Sequence, residues 1–205
     1  MDLTVWLTFS AACIVFSIAP GAGAITSINN SLTGGFKTAL KGIVGLQCAL
    51  STHLVIVALG LGTLLASSAL VFEAIKYAGA VYLLYLGIQK FREPAAIAVN
   101  SEFVQNGYGQ FVKQAFIVNL MNPKSIVFLS AFLPQFLNPS TPMTEQYLIL
   151  GITVLLIDAV VMMSYAFLAS MVKPYLTSPR VMSGINKVFG GLFITMGLAL
   201  ARSER

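Results

Sequence analysis

The stretch Gln114–Phe136, reading QAFIVNLMNPKSIVFLSAFLPQF, limits what this chain can fold into more than any other. It is long and apolar enough to cross a bilayer, which takes about 20 residues. Yet its middle carries Asn119, Asn122, Pro123 and Lys124, and its end carries Pro134 and Gln135. A helix facing lipid cannot hold a lysine beside a helix-breaking Asn-Pro pair. The break frees carbonyls and amides that hydrocarbon cannot satisfy, so it must face protein or a watery cavity. That is the signature of a working site at membrane depth.

Composition agrees. The 205 residues are 57% hydrophobic and only 9% charged, against about 25% charged in an ordinary soluble domain. The sequence therefore predicts an all-α integral membrane protein forming a single transmembrane domain over residues 1–205. The net charge of +5 is spread between apolar runs, which suits membrane topology and not nucleic-acid binding. Cys13 and Cys48 lie inside apolar runs without CxxC spacing and give no metal signal. Residues 3–19 are not read as a cleaved signal, because only Asp2 and no basic residue precedes them.

Six spans are expected, at about Leu3–Ala19, Gly42–Leu65, Val71–Ile88, the broken stretch itself, Tyr147–Val172 and Gly184–Leu200. Basic loops are read around Lys37 and Lys41, around Lys90 and Arg92, and around Lys173 and Arg180. Lys113 and Lys187 fall on the same side. The positive-inside rule then puts both termini outside, in the periplasm of a Gram-negative cell. Spans one and four each end in a proline-centred break, Ala19-Pro20-Gly21 and Asn122-Pro123-Lys124. Spans two and five each hold an ionisable residue, His53 and Asp158. Three spans per half is an odd number, so the halves (repeat one about 1–91, a polar connector about 92–110, repeat two about 111–205) must be inverted. Inverted three-helix repeats with broken helices 1 and 4 point to a secondary transporter with its site at the repeat interface.

Asp158 is the only carboxylate well inside an expected span, where a charge costs about 2.5–3.5 kcal/mol. It suits a protonation site or a contact for a substrate ammonium, or else a structural partner of Lys124. Whether the two pair depends on helix rotation. Lys124 could hold a substrate carboxylate. Pro20, Gly21, Asn122 and Pro123 would turn half-helix ends toward a small polar ligand, with Gln135 as a further lining residue. His53 and Asn119 are weaker candidates, since a histidine among Leu and Val is commonly a hydrogen-bonded core residue. No Walker A motif appears, so ATP does not drive the chain directly. A divalent-metal carrier would want several intramembrane carboxylates.

These features resemble the LysE family of amino-acid exporters, in particular its RhtB branch of homoserine, threonine and leucine exporters. The matching residues run through the chain in order: Ala19-Pro20-Gly21, Gly34-Gly35-Phe36-Lys37 with Gly42 and Gly45, and Tyr77 to Gly87. They continue with Asn119-Leu120-Met121-Asn122-Pro123-Lys124, Phe132-Leu133-Pro134-Gln135-Phe136, Asp158, and Gly190-Gly191 with Gly197. The family usually continues its first break as Pro-Gly-Pro. Here Ala22 takes the last place, which restores a backbone donor and bears on substrate preference more than on activity.

The resemblance implies a non-enzymatic secondary transporter of the bacterial inner membrane. It would export small amino acids or their derivatives from the cytoplasm by proton antiport, with no cofactor and no metal. Its partners would be the substrate, protons and the bilayer. The span glycines also permit a homo-oligomer. The rival readings are a membrane redox protein, a scaffold, and an exporter of another small solute.

Overall fold

A computed structural model of the chain describes residues 1–67, 69–92, 108–171 and 179–202. Among these the structure is helical, without strands. Helix α1 spans Leu3–Ile18, capped by the Asp2 side chain, which accepts from the Thr4 and Val5 N–H groups. Those two donors hold the Asp2 carboxyl below the usual carboxylate range. At the far end the helix stops before Pro20, because the residue preceding a proline is pushed out of helical geometry. Ala19 is extended there.

Helix α2, Ala22–Ser67, is two limbs joined at Gly35, whose φ of 78° only glycine adopts without strain. This changes the reading of residues 22–41. The expected basic loop around Lys37 and Lys41 is not a loop: the chain is helical to the bend, and both lysines stand on the second limb. Tertiary burial overrides the weak helical propensity of Asn and Gly: Asn29, Asn30 and Ser31 are buried, and the Ser31 hydroxyl donates to the Ala166 carbonyl.

Helix α3 covers Ala69–Arg92, and α4 covers Tyr108–Leu120. The expected connector lies for the most part in residues 93–107, outside the described residues. After the break at Met121-Asn122, the short helix α5 covers Pro123–Val127, followed by a π-helical turn, Phe128–Phe132, and a 3₁₀ turn, Leu133–Phe136. Pro134 accounts for that change of winding. It has no N–H for an α-helical bond and its ring clashes with the carbonyl four residues back, so the ladder widens before it and tightens after it. Helix α6 is Met143–Met171, and α7 is Pro179–Arg202.

Among the described residues, two helices are long and apolar enough to cross a membrane by themselves, over Ala22–Gly60 and over Met143–Met171. A third crossing results if Gly109–Leu120 and Pro123–Phe136, bent by 54°, act as one span. α1 is apolar but shorter.

The contacts fix how these elements run. Trp6 donates to Thr153 and Tyr165 to the Ile18 carbonyl, so α1 and α6 are parallel. Gly45 meets Val112 and, eight residues further along both helices, His53 meets Leu120, so α4 is parallel to the second limb of α2. That limb runs antiparallel to α6, with Gln47 on Asp158 and Leu54 over Gly151. α3 and α7 are also antiparallel, with Gly87 facing Gly190 and Ala80 facing Gly197. Gly45 lets α2 and α4 touch backbone to backbone: a Cβ there would collide with the Val112 carbonyl. At Gly60, by contrast, no described residue lies within 4 Å of where a Cβ would be.

Candidate functional site

Both breaks open on one small cavity. It is lined by Ser17, Ala19 and Gly21 from the first break, by Asn119, Asn122, Lys124 and Ser125 from the second, and by Asp158 of α6. Its volume is about 20 Å³, enough for one water-sized group. A larger solute can bind only if the lining moves.

The first break leaves the last carbonyls of α1 without helical partners. They are met from the other half of the chain. The Lys124 ammonium donates to the Phe16 carbonyl at 2.6 Å and to the Ala19 carbonyl at 2.7 Å. The Tyr165 hydroxyl takes the Ile18 carbonyl. A cation at a helix C-terminus is also favoured by the helix dipole, and α1 has no basic residue in its own last turn. Nζ lies 4.4 Å from the Phe16 ring centroid and 5.3 Å from that of Phe193, within cation–π range.

The second break is stitched from α2 in return. His53 Nε2 lies 3.1 Å from the Leu120 carbonyl. A carbonyl only accepts, so Nε2 carries the proton of this bond, and Nδ1 is buried with no partner among the described residues. Asn122 caps α5, accepting from the Lys124 N–H at 3.1 Å, with Pro123 at the first helical position where its missing N–H costs nothing. Asn119, Asn122 and Ser125 hold one another at 3.2 Å.

Asp158 is 8% exposed, and its Oδ2 accepts from Gln47 Nε2 at 2.7 Å. Ser17 lines the same cavity as this carboxylate. Its Oγ and the Gln47 Oε1 are both buried without a partner among the described residues.

Of the residues singled out from the sequence, Gly21, Asn119, Asn122, Lys124 and Asp158 line this cavity. Pro20 is buried and Pro123 exposed, each shaping its break from outside the lining. His53 braces the second break. Gln135 lines a different cavity, near the N-terminus. Cys13 is a buried free thiol and Cys48 an exposed one. Gln47, Ser17, Ser125 and Tyr165 have no role assigned from the sequence. Their only signal was a hydroxyl or amide in an apolar run, and several such residues in this chain merely bond their own helix, as Thr8 and Ser164 do.

Apolar helices, two of them broken, around a buried polar cavity define a multi-pass membrane protein. More particularly, residues 14–204 match the LysE type translocator family, and the chain belongs to it. It is 44% identical over 199 residues to the homoserine/homoserine lactone efflux protein of Salmonella typhimurium, covering 97% of each chain. A Vibrio cholerae uncharacterized membrane protein is also 44% identical, over 204 residues and the full length of both. Membrane protein YrhP of Bacillus subtilis, also uncharacterized, is 25% identical, over 94% of this chain and 96% of its own. No solved structure matches the chain.

Proposed function

We propose that the chain is a proton-coupled exporter of small solutes that carry an α-ammonium group, moving them out of the cytoplasm through the bacterial inner membrane. Homoserine and its lactone, in the names of the Salmonella relatives, share that ammonium and a carbonyl oxygen, but the lactone lacks a free carboxylate. A site that takes both must recognise the cation and a carbonyl. The observation that carries the reading is the meeting of Asp158, Lys124 and two broken helices on a single buried cavity.

In this mechanism Asp158 accepts the substrate ammonium, with Gln47 fixing its rotamer. Lys124 leaves the α1 carbonyls for the substrate's carbonyl or carboxylate oxygen, helped by the amides at the start of α5. Asp158 is the one buried carboxylate among the described residues. Protonating it releases the substrate ammonium, and losing that proton to the cytoplasm resets the carrier.

The helix pairings support an inverted repeat within one domain. A pseudo-twofold axis would exchange spans one and four, two and five, three and six. It then requires the one–five and four–two pairs to look alike, and both are parallel. It requires two–five and three–six to be antiparallel, as they are. Six spans are the reading that satisfies this symmetry, with both termini outside.

The test is Asp158→Asn in vesicles with an imposed pH gradient. Gradient-driven efflux should stop, while substrate-exchange flux without a gradient weakens but survives. Undiminished gradient-driven efflux removes Asp158 from coupling.

A further inference from the structure

Five phenylalanine rings link the central cavity to a second one. Phe16, on the central cavity, stacks on Phe128 with centroids 3.9 Å apart. Phe128 stacks on Phe132 at 5.1 Å, Phe132 meets Phe136 at 5.0 Å, and Phe136 meets Phe9 edge-on at 5.2 Å. Phe136 lines the second cavity, about 240 Å³ in volume, together with Asp2, Gln135, Asn138 and Gln146. Phe9, Phe16, Phe128 and Phe132 are buried. The column therefore fills the space between the two cavities.

The backbone under the column is the unusual one. In an α-helix, side chains four apart drift by about 40° around the axis. The wider π turn at Phe128–Phe132, closed by the Leu133 N–H on the Phe128 carbonyl, lessens that drift and aligns the rings. Ala131 seats the turn against α3 in the space left by Gly79. At its inner end the column touches Lys124, whose ammonium lies over the Phe16 ring and holds the Phe16 carbonyl.

The other way out of the central cavity differs. The first limb of α2 leads from it toward Gly35 and carries buried Ser27, Asn29, Asn30 and Ser31, of which Ser27 Oγ and Asn29 Oδ1 have no partner among the described residues.

We infer that Phe9, Phe16, Phe128, Phe132 and Phe136 are the outer gate of the transport path, and that the cavity at Asp2, Gln135, Asn138 and Gln146 is the vestibule into which the solute is released. This rests on the export reading above. A small zwitterion or cation cannot pass a closed stack of phenyl rings without losing its hydration, so the stack seals the site from that side. Withdrawal of Lys124 toward a bound solute frees Phe16 and α1, which links loading of the site to opening of the gate. Rewinding of the π turn swings Phe128 and Phe132 out of register.

The test uses the full chain in vesicles. Phe132→Ala removes the ring in contact with two others and should raise gradient-independent leak of preloaded homoserine about tenfold, from two lost ring contacts. Phe132→Leu, which keeps apolar bulk, should leak less. Phe132→Cys, in a background with Cys13→Ala and Cys48→Ser, should react with a membrane-impermeant thiol reagent only from the side of the termini, and faster with substrate present. Wild-type leak in Phe132→Ala overturns the gate, and so does labelling from the side of Lys37 and Arg92. A wild type that moves no amino-acid solute overturns the export reading alone. The gate still stands or falls on the side from which Phe132→Cys reacts.

Discussion

Replacing Lys124 by methionine tests whether a lysine from one half of the chain holds together the broken helix of the other. Methionine keeps an unbranched stem against Phe16 and Phe193 but deletes the two bonds to the Phe16 and Ala19 carbonyls. Hydrogen bonds to a charged group contribute about 1.5–3 kcal/mol each, so the gross loss is about 3–6 kcal/mol. The ammonium no longer has to be desolvated, which returns part of this, and the expected net destabilisation is about 2–4 kcal/mol. For a chain of this length each kcal/mol lowers Tm by about 2–4 °C. Thermal unfolding in detergent, followed through the single tryptophan, Trp6, which is bonded across to Thr153, should therefore show a fall of about 4–16 °C. Trp6 sits on the helix that would come loose. A Tm within 2 °C of the parent would refute the idea that Lys124 secures α1.

Three further outcomes follow from the same geometry. His53→Gln keeps a donor for the Leu120 carbonyl, so gradient-driven efflux should persist, whereas His53→Ala should lose about 1–3 kcal/mol of stability; failure of efflux in His53→Gln despite normal folding would put His53 on the proton path. Gly45→Ala pushes a methyl into the Val112 carbonyl and should cost about 1–3 kcal/mol, while Gly60→Ala, whose methyl meets no described residue within 4 Å, should stabilise by up to about 1 kcal/mol; equal effects in a detergent melt would contradict the crossing described. Ala22→Pro places proline at the start of α2, where its fixed φ suits a helix. It should hold or raise Tm while changing the KM for efflux, and a clear loss of stability would mean that the Ala22 N–H has an essential partner.

The breaks were legible in the sequence because Pro20, Asn122 and Pro123 act locally: each removes a donor or caps a helix wherever it stands. Asp158 and Lys124 stood out because ionisable side chains are rare in apolar spans. The partners were not legible. Lys124 reaches Phe16 and Ala19 across more than a hundred residues, and Tyr165 reaches Ile18 across a similar separation. Such contacts depend on how each helix is rotated, which periodicity does not specify when a span is apolar all round. The phenylalanine column was hidden for the same reason, since nothing in the spacing of Phe128, Phe132 and Phe136 shows the π turn that lines them up. The helix over residues 22–34 was missed because asparagine and glycine weaken its pattern, and burial against α6 decides the matter.

The most direct measurement is efflux from cells that overexpress the chain after loading with amino acids as dipeptides, compared with an Asn122→Ala variant that membrane fractionation shows in equal amount. The account predicts faster release of homoserine or a few similarly small amino acids, lost with an uncoupler and lost in the variant. Release no faster than in control cells for every amino acid tested, with the protein present in the membrane, would contradict it.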